Sequence, residues 1–145
     1  MNTTIDPRIT STCFTLADWP LSRVFLKNNA DYPWFILVPR QDNIQDIDQL
    51  PQTLQHTLMD EISRLSLIVK TQFQPDKVNI GTLGNIVSQL HIHVVARFKE
   101  DNLWPQGIWQ ASQTCSSYRN EDIQERLASL RDACILAFES TQTPY

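Results

Sequence analysis

Glycine is scarce in this chain: 145 residues contain three. That excludes flexible Gly/Ser linkers and glycine-rich low-complexity tracts, and no internal repeat is visible. The three cysteines, Cys13, Cys115 and Cys134, are far apart, odd in number and free of any C-x-x-C spacing. A disulfide framework or a zinc knot is therefore not expected, and a reducing cytoplasmic setting is. Long apolar runs are missing as well. The longest, Ala133 to Phe138, is six residues, far short of a membrane span, and the opening "MNTTIDPRIT" has no apolar core of a signal peptide. Basic clusters are also absent. Twelve Lys and Arg are scattered singly among 16 Asp and Glu, for a net charge of −4, so no stripe exists to neutralise a run of phosphates. A nucleic-acid polymer is excluded as the main ligand; a single nucleotide, which needs two or three donors, is not.

What is present fits one soluble globular domain over residues 1–145. Apolar residues make up 41% of the chain, with four Trp, six Phe and three Tyr, enough to build a proper core. "RVFLKN" (23–28) and "WFILVP" (34–39) read as a hairpin around the turn-prone "NADYP", with the second strand buried on both faces. From Leu54 to Phe73, apolar residues recur at spacings of three and four, which predicts an amphipathic helix ended by Pro75. "KVNIGTL" (77–83) and "LHIHVVARF" (90–98) predict two more strands, tightly connected through "GTLGN". Ile123, Leu127, Leu130, Cys134 and Phe138 mark a last helix over about 120–139, capped by Asn120 with Glu121 and Asp122 in its first turn. Hairpin links dominate, so the expected class is α+β with a mostly antiparallel sheet of about five strands and two long helices.

The stretch "NIGTLGNIVSQLHIHVV" (79–95) holds two of the three glycines and two of the three histidines. In a strand, residues i and i+2 share a face about 7 Å apart, so Gln89, His91 and His93 would point one way and Leu90, Ile92 and Val94 the other. Three readings of that row compete. It is a solvated sheet face that happens to carry imidazoles, or half of a tetrahedral zinc site lacking a third nearby ligand, with His56 distant on the first helix. Otherwise it is a nucleophilic site for phosphorus. There one neutral imidazole attacks a phosphoanhydride and the other, partly cationic, assists the leaving group, as the near-neutral titration of histidine permits.

"QLHIHVV" resembles the histidine triad (HIT) motif, His-φ-His-φ-His-φ-φ with φ apolar. The approach "NIGTLGN" (79–85), the strand "WFILVPR" (34–40) and the downstream "NLWP" (102–105) resemble further parts of that family, so the likeness covers roughly residues 20 to 110. It implies an α-phosphate hydrolase or nucleotidyl transferase. The substrate is a nucleotide-containing small molecule, of dinucleoside polyphosphate or nucleoside phosphoramidate type. The reaction passes through a nucleotidyl-histidine intermediate and requires neither metal nor other cofactor. A homodimer with a shared sheet is implied too. Residue by residue, His91 matches the nucleophile and His93 the last histidine, contacting the phosphate. Asn79, Gly84 and Asn85 match the phosphate-holding approach, Asn28 a polar position near the nucleoside, and Trp104 the Trp-Pro of some branches. Gln89 stands where the pattern has its first histidine; it keeps a donor and an acceptor but does not titrate. Ile86 replaces the Ser or Thr that some members carry, which removes a hydroxyl from the leaving-group side. A binding module with little turnover is the alternative.

Outside the motif, Trp34, Trp104 and Trp109 are read as core or interface aromatics more than base-stacking platforms. Arg40 and Arg97, at strand ends, are read as surface charge before phosphate ligands. Cys115 and Cys134 are assigned to packing.

Overall fold

The computed structural model describes residues 3–109 and 116–139. In chain order they form a one-turn helix α1 (Pro7–Thr10), strands β1 (Cys13–Asp18), β2 (Ser22–Lys27) and β3 (Trp34–Pro39), and a 3-10 turn (Ile47–Gln49). The long helix α2 (Gln52–Phe73), strands β4 (Lys77–Gly81) and β5 (Ile92–Arg97), and helix α3 (Asn120–Glu139) follow. All five strands join one sheet, in the order β1-β2-β3-β5-β4, and every neighbouring pair is antiparallel. The expected α+β class is what the chain adopts. Among the described residues no helix is long and apolar enough to cross a membrane.

The predicted helices form for the reasons their periodicity gave. Leu58, Ile62, Leu65, Ile68 and Val69 of α2 join Ile123, Leu127, Leu130 and Cys134 of α3 in one buried cluster. Against them lie Val24, Leu26, Phe35, Leu37, Ile92, Val94 and Ala96 of the sheet. Cys134 is fully buried, and desolvation pushes its thiol up to about 12; it packs, as expected. Cys115 lies outside the described residues. Helix α2 ends on Gln74, held left-handed at φ 51°, just before Pro75. Asn120 is the first residue of α3 rather than its cap, because the Arg119 carbonyl accepts from the Asp122 and Ile123 amides.

Three expectations need correction. β1 and α1 lie outside the expected elements: "CFTLAD" mixes polar and apolar residues, and its pairing to β2 comes from tertiary context. The connection between β4 and β5 is not tight, since the ladder stops at Gly81 opposite His93 and the ten residues 82–91 run free of it. The face expected to be polar is instead a second buried layer of Phe25, Trp34, Ile36, Val38 and Val95. Ile5 and Ile9 of the N-terminal segment and Ile108 of a later loop cover it. Both sheet faces are therefore buried, which is why β3 and β5 read as almost continuous apolar runs.

Candidate active site

His91 and His93 meet on that second face. Their ring centroids are 4.9 Å apart, edge to face, and they are only 7% and 8% exposed, which removes the solvated-face reading. Alternation persists past the end of the strand. His93 lies within β5, paired with Gly81 and Ile36, and His91 precedes the ladder. Leu90 and Ile92 turn inward to the helix-side core.

Each ring has its second nitrogen committed. His91 Nδ1 lies 2.7 Å from the main-chain oxygen of Gln89. A carbonyl only accepts, so Nδ1 carries the hydrogen and Nε2 is left with its lone pair. His93 Nδ1 instead receives the indole N–H of Trp34 at 2.9 Å. An indole only donates, so Nδ1 is the bare nitrogen and Nε2 carries the hydrogen. Adjacent imidazoles thus have opposite tautomers. Burial, with the nearby His91 and Lys27, lowers the pKa of His93 to about 3. The partly cationic second histidine expected from sequence is therefore corrected: His93 is a neutral N–H donor at physiological pH. Lys27 Nζ sits 4.0 Å above the Trp34 ring, and the Trp109 ring meets His93 at 5.7 Å from the other side.

Gln89 does not continue a row with the histidines. Its Oε1 accepts from the Asp6 backbone N–H at 2.8 Å, and its Nε2 donates to the Thr4 carbonyl at 3.0 Å. Its main chain faces His91 while its side chain holds the N-terminal segment. Gly84 occupies the left-handed region at φ 72°, which favours glycine in this loop. Gly81 sits under a close approach: a Cβ there would lie 3.3 Å from Trp109 Cη2, so the indole would have to shift by a few tenths of an ångström. Asn85 and Ile86 stand exposed at the loop, Ile86 by 84%.

Asn79 shares the His93 face, one pair further along, and its Oδ1 accepts from Arg97 Nη1 at 3.0 Å. Arg97 is corrected from surface charge to buried ion: it is 1% exposed and grips Asp101 through Nε and Nη2. The Arg97 guanidinium lies 5.9 Å from the Trp104 ring centroid, so of the two tryptophans in the loop after β5 it is Trp109 that joins Trp34 at His93. The carbonyl of the Asn28 side chain is spent on the Tyr118 amide, at the approach to α3. Arg40 bonds the Trp19, Pro20 and Leu21 carbonyls and braces the β1–β2 turn. His56 is exposed on α2. Among the described residues no three His, Cys, Asp or Glu side chains are grouped to hold a metal ion. Sequence reasoning missed Trp34 and Trp109 as partners of His93 and the Thr4–Asp6 segment as the partner of Gln89; none carries a local signal, since all three reach the site through tertiary packing.

Known proteins fit this arrangement. No curated protein matches the chain in sequence. A histidine triad protein from Bradyrhizobium japonicum superposes with a TM-score of 0.85 at 36% identity, covering 90% of this chain and 96% of that one. One from Marinobacter aquaeolei gives 0.83 at 33% identity, with 95% and 97% covered. One from Sinorhizobium meliloti gives 0.86 at 30%, with 91% and 97% covered. The HIT domain family itself matches residues 9–100, and with the paired imidazoles and their glycine-bearing approach, the chain belongs to the histidine triad family.

Proposed function

We propose that this protein is a nucleotidyl hydrolase or transferase that attacks the α-phosphate of a small nucleotide derivative, with His91 as nucleophile. The observation that carries the reading is the pair of opposite tautomers 4.9 Å apart. His91 Nε2 offers its lone pair to phosphorus. As the new P–N bond forms, the bond to the leaving group breaks, and that group departs with the electron pair. Positive charge developing on the His91 ring is met by the Gln89 carbonyl, and the His93 Nε2–H hydrogen-bonds a phosphoryl oxygen. Water, or an acceptor hydroxyl in a transfer, then attacks phosphorus; the P–N bond breaks with its electron pair returning to His91 Nε2, and the proton of the attacking oxygen passes to solvent or to the departed leaving group.

The approach loop supplies the rest of the phosphate cradle. Gly84 turns the chain, Asn85 stands at its exposed end, and Asn79 offers its amide N–H groups because Arg97 occupies its oxygen. Asn28 is assigned to the nucleoside and Trp104 to the rim by family pattern. One more distant fold relative, from Sulfolobus tokodaii, is described as a hypothetical nucleotide-binding protein, which agrees with the substrate class. A homodimer is part of the reading: β4 is an edge strand whose Ile80 is 49% exposed, a surface suited to continuing the sheet into a second copy. A binding role with little turnover is the second reading, favoured by Ile86, an exposed alkyl group where a hydroxyl would assist the leaving group.

A panel of adenine and guanine phosphoramidates and dinucleoside polyphosphates, run on wild type and His91→Ala, tests the assignment. Turnover lost in His91→Ala and a trapped nucleotidyl adduct on His91 are expected. Unchanged turnover in the variant would sink the nucleophile assignment; micromolar AMP binding with negligible hydrolysis by wild type would select the second reading.

A further inference from the structure

Residue 89 is weakly anchored by the sheet. It belongs to the 82–91 connection, where the β4–β5 ladder has ended. Nearby main-chain ties are the Leu90 amide to the Ile44 carbonyl, at 2.9 Å, and Arg8 Nη1 to the Ile86 carbonyl, at 3.1 Å. Yet the Gln89 carbonyl sets the hydrogen position on His91 and has to stay within 2.7 Å of Nδ1.

The Gln89 side chain supplies the missing anchor. A carboxamide presents its acceptor and donor side by side and can engage the acceptor and donor of a neighbouring main chain together. It does so here, taking the Asp6 N–H and giving to the Thr4 carbonyl. An imidazole, with its nitrogens on opposite sides of the ring, cannot make that paired contact. The segment it grips is itself seated. Ile5 and Ile9 are buried in the cluster that contains Phe25, Trp34, Ile36 and Val38, on the face that carries His93.

We propose that the segment Thr4–Asp6 is a positioning device for the nucleophile. Clamped by the Gln89 carboxamide, it fixes the Gln89 carbonyl against His91 and so holds His91 in the Nδ1–H tautomer. Gln89 is then a positioning residue, and glutamine at the first triad position is tied to this N-terminal segment. The link to rate rests on His91 being the nucleophile; the link to the tautomer does not.

The test is nitrogen-15 NMR of the histidine rings in four proteins: wild type, Asp6→Pro, Asp6→Ala and Gln89→Leu. Both Asp6 variants lose the carboxylate, but only proline removes the N–H, and the φ of −52° at position 6 is one that proline adopts. Wild type and Asp6→Ala are expected to show His91 protonated on Nδ1; Asp6→Pro and Gln89→Leu are expected to shift to a mixture containing the Nε2–H form. With an active substrate the same two variants should lose about tenfold or more in kcat with little change in KM, because a wrong tautomer disables chemistry and spares binding. An unshifted His91 in Asp6→Pro and Gln89→Leu overturns the proposal. Should those variants fail to fold, amide exchange in wild type decides: protection of the Asp6 amide supports the clamp, and exchange at the rate of an unstructured chain overturns it. A shifted tautomer with no activity in any protein would leave the clamp standing and remove the enzymatic reading.

Discussion

Lowering the pH should destabilise this protein through His93 well before ordinary carboxylates are protonated. The ring titrates at about 3 in the folded chain and at about 6.5 when unfolded. Between those values the unfolded state binds more protons, so stability rises with pH there. The contribution is complete above about pH 6.5 and is lost toward pH 3, at about 1.4 kcal/mol per pH unit. Integrated from pH 8 to pH 5, it amounts to about 2 kcal/mol. The carboxylates of Asp18 and Asp101, lowered mainly by their arginine partners, act below this window. Buried Glu61, raised by desolvation, works with the opposite sign, its contribution falling as pH rises. The assay that isolates His93 is therefore urea unfolding at pH 5, 6, 7 and 8 for wild type and His93→Gln. Glutamine still offers Trp34 an acceptor but does not titrate, and the Glu61 contribution cancels in the comparison. Wild type should lose about 2 kcal/mol more than the variant between pH 8 and pH 5. Equal losses in the two proteins would refute the claim that His93 is held neutral by burial.

Replacing Trp34 by Phe keeps most of the ring and deletes the N–H that His93 Nδ1 receives; a buried acceptor without a donor should cost about 1–3 kcal/mol of unfolding free energy, read by urea unfolding, and change the His93 ring nitrogen shifts. Arg97→Met leaves the Asp101 carboxylate without its buried partner and should cost about 3–5 kcal/mol, part of it recovered by adding Asp101→Leu, as read by thermal unfolding. Gly84→Ala meets no close atom, the nearest being 3.7 Å from the new Cβ, but forces a side chain at φ 72°, so a loss of about 1 kcal/mol is expected in chemical denaturation. If the sheet continues into a second copy through its exposed edge strand, light scattering is expected to give a dimer for wild type and a monomer for Ile80→Asp.

Much of this fold was legible because its signals are local. WFILVP carries six consecutive residues buried on both faces, and strand β3 has the predicted bounds. The i, i+3, i+4 rows of α2 and α3 predicted the residues now packed against the sheet. Strand β1 was not legible, since Cys13 and Thr15 interrupt any apolar pattern and only pairing with β2 makes it a strand. At the site, the H-x-H spacing and glycine-bearing approach pointed to the two rings that the fold brings together. The environment of those rings was not readable from spacing. Whether a histidine is cationic depends on what covers it, and Ile5, Trp34 and the adjacent Ile108 and Trp109 come from three separate places in the chain.

The chemistry of the pair is set by neighbours more than by the histidines themselves. Two identical side chains two residues apart would, in water, have the same pKa and the same mixture of tautomers. Here a group that can only accept faces one Nδ1 and a group that can only donate faces the other. The first comes from the residue beside the strand and the second from the middle of the sheet, so the difference between the rings depends on the register of β3 against β5. A one-residue slip of β3 would carry Trp34 to the helix side and leave His93 without its donor. The buried apolar residues that surround Trp34, and look like ordinary core, therefore also fix which nitrogen of His93 carries its hydrogen.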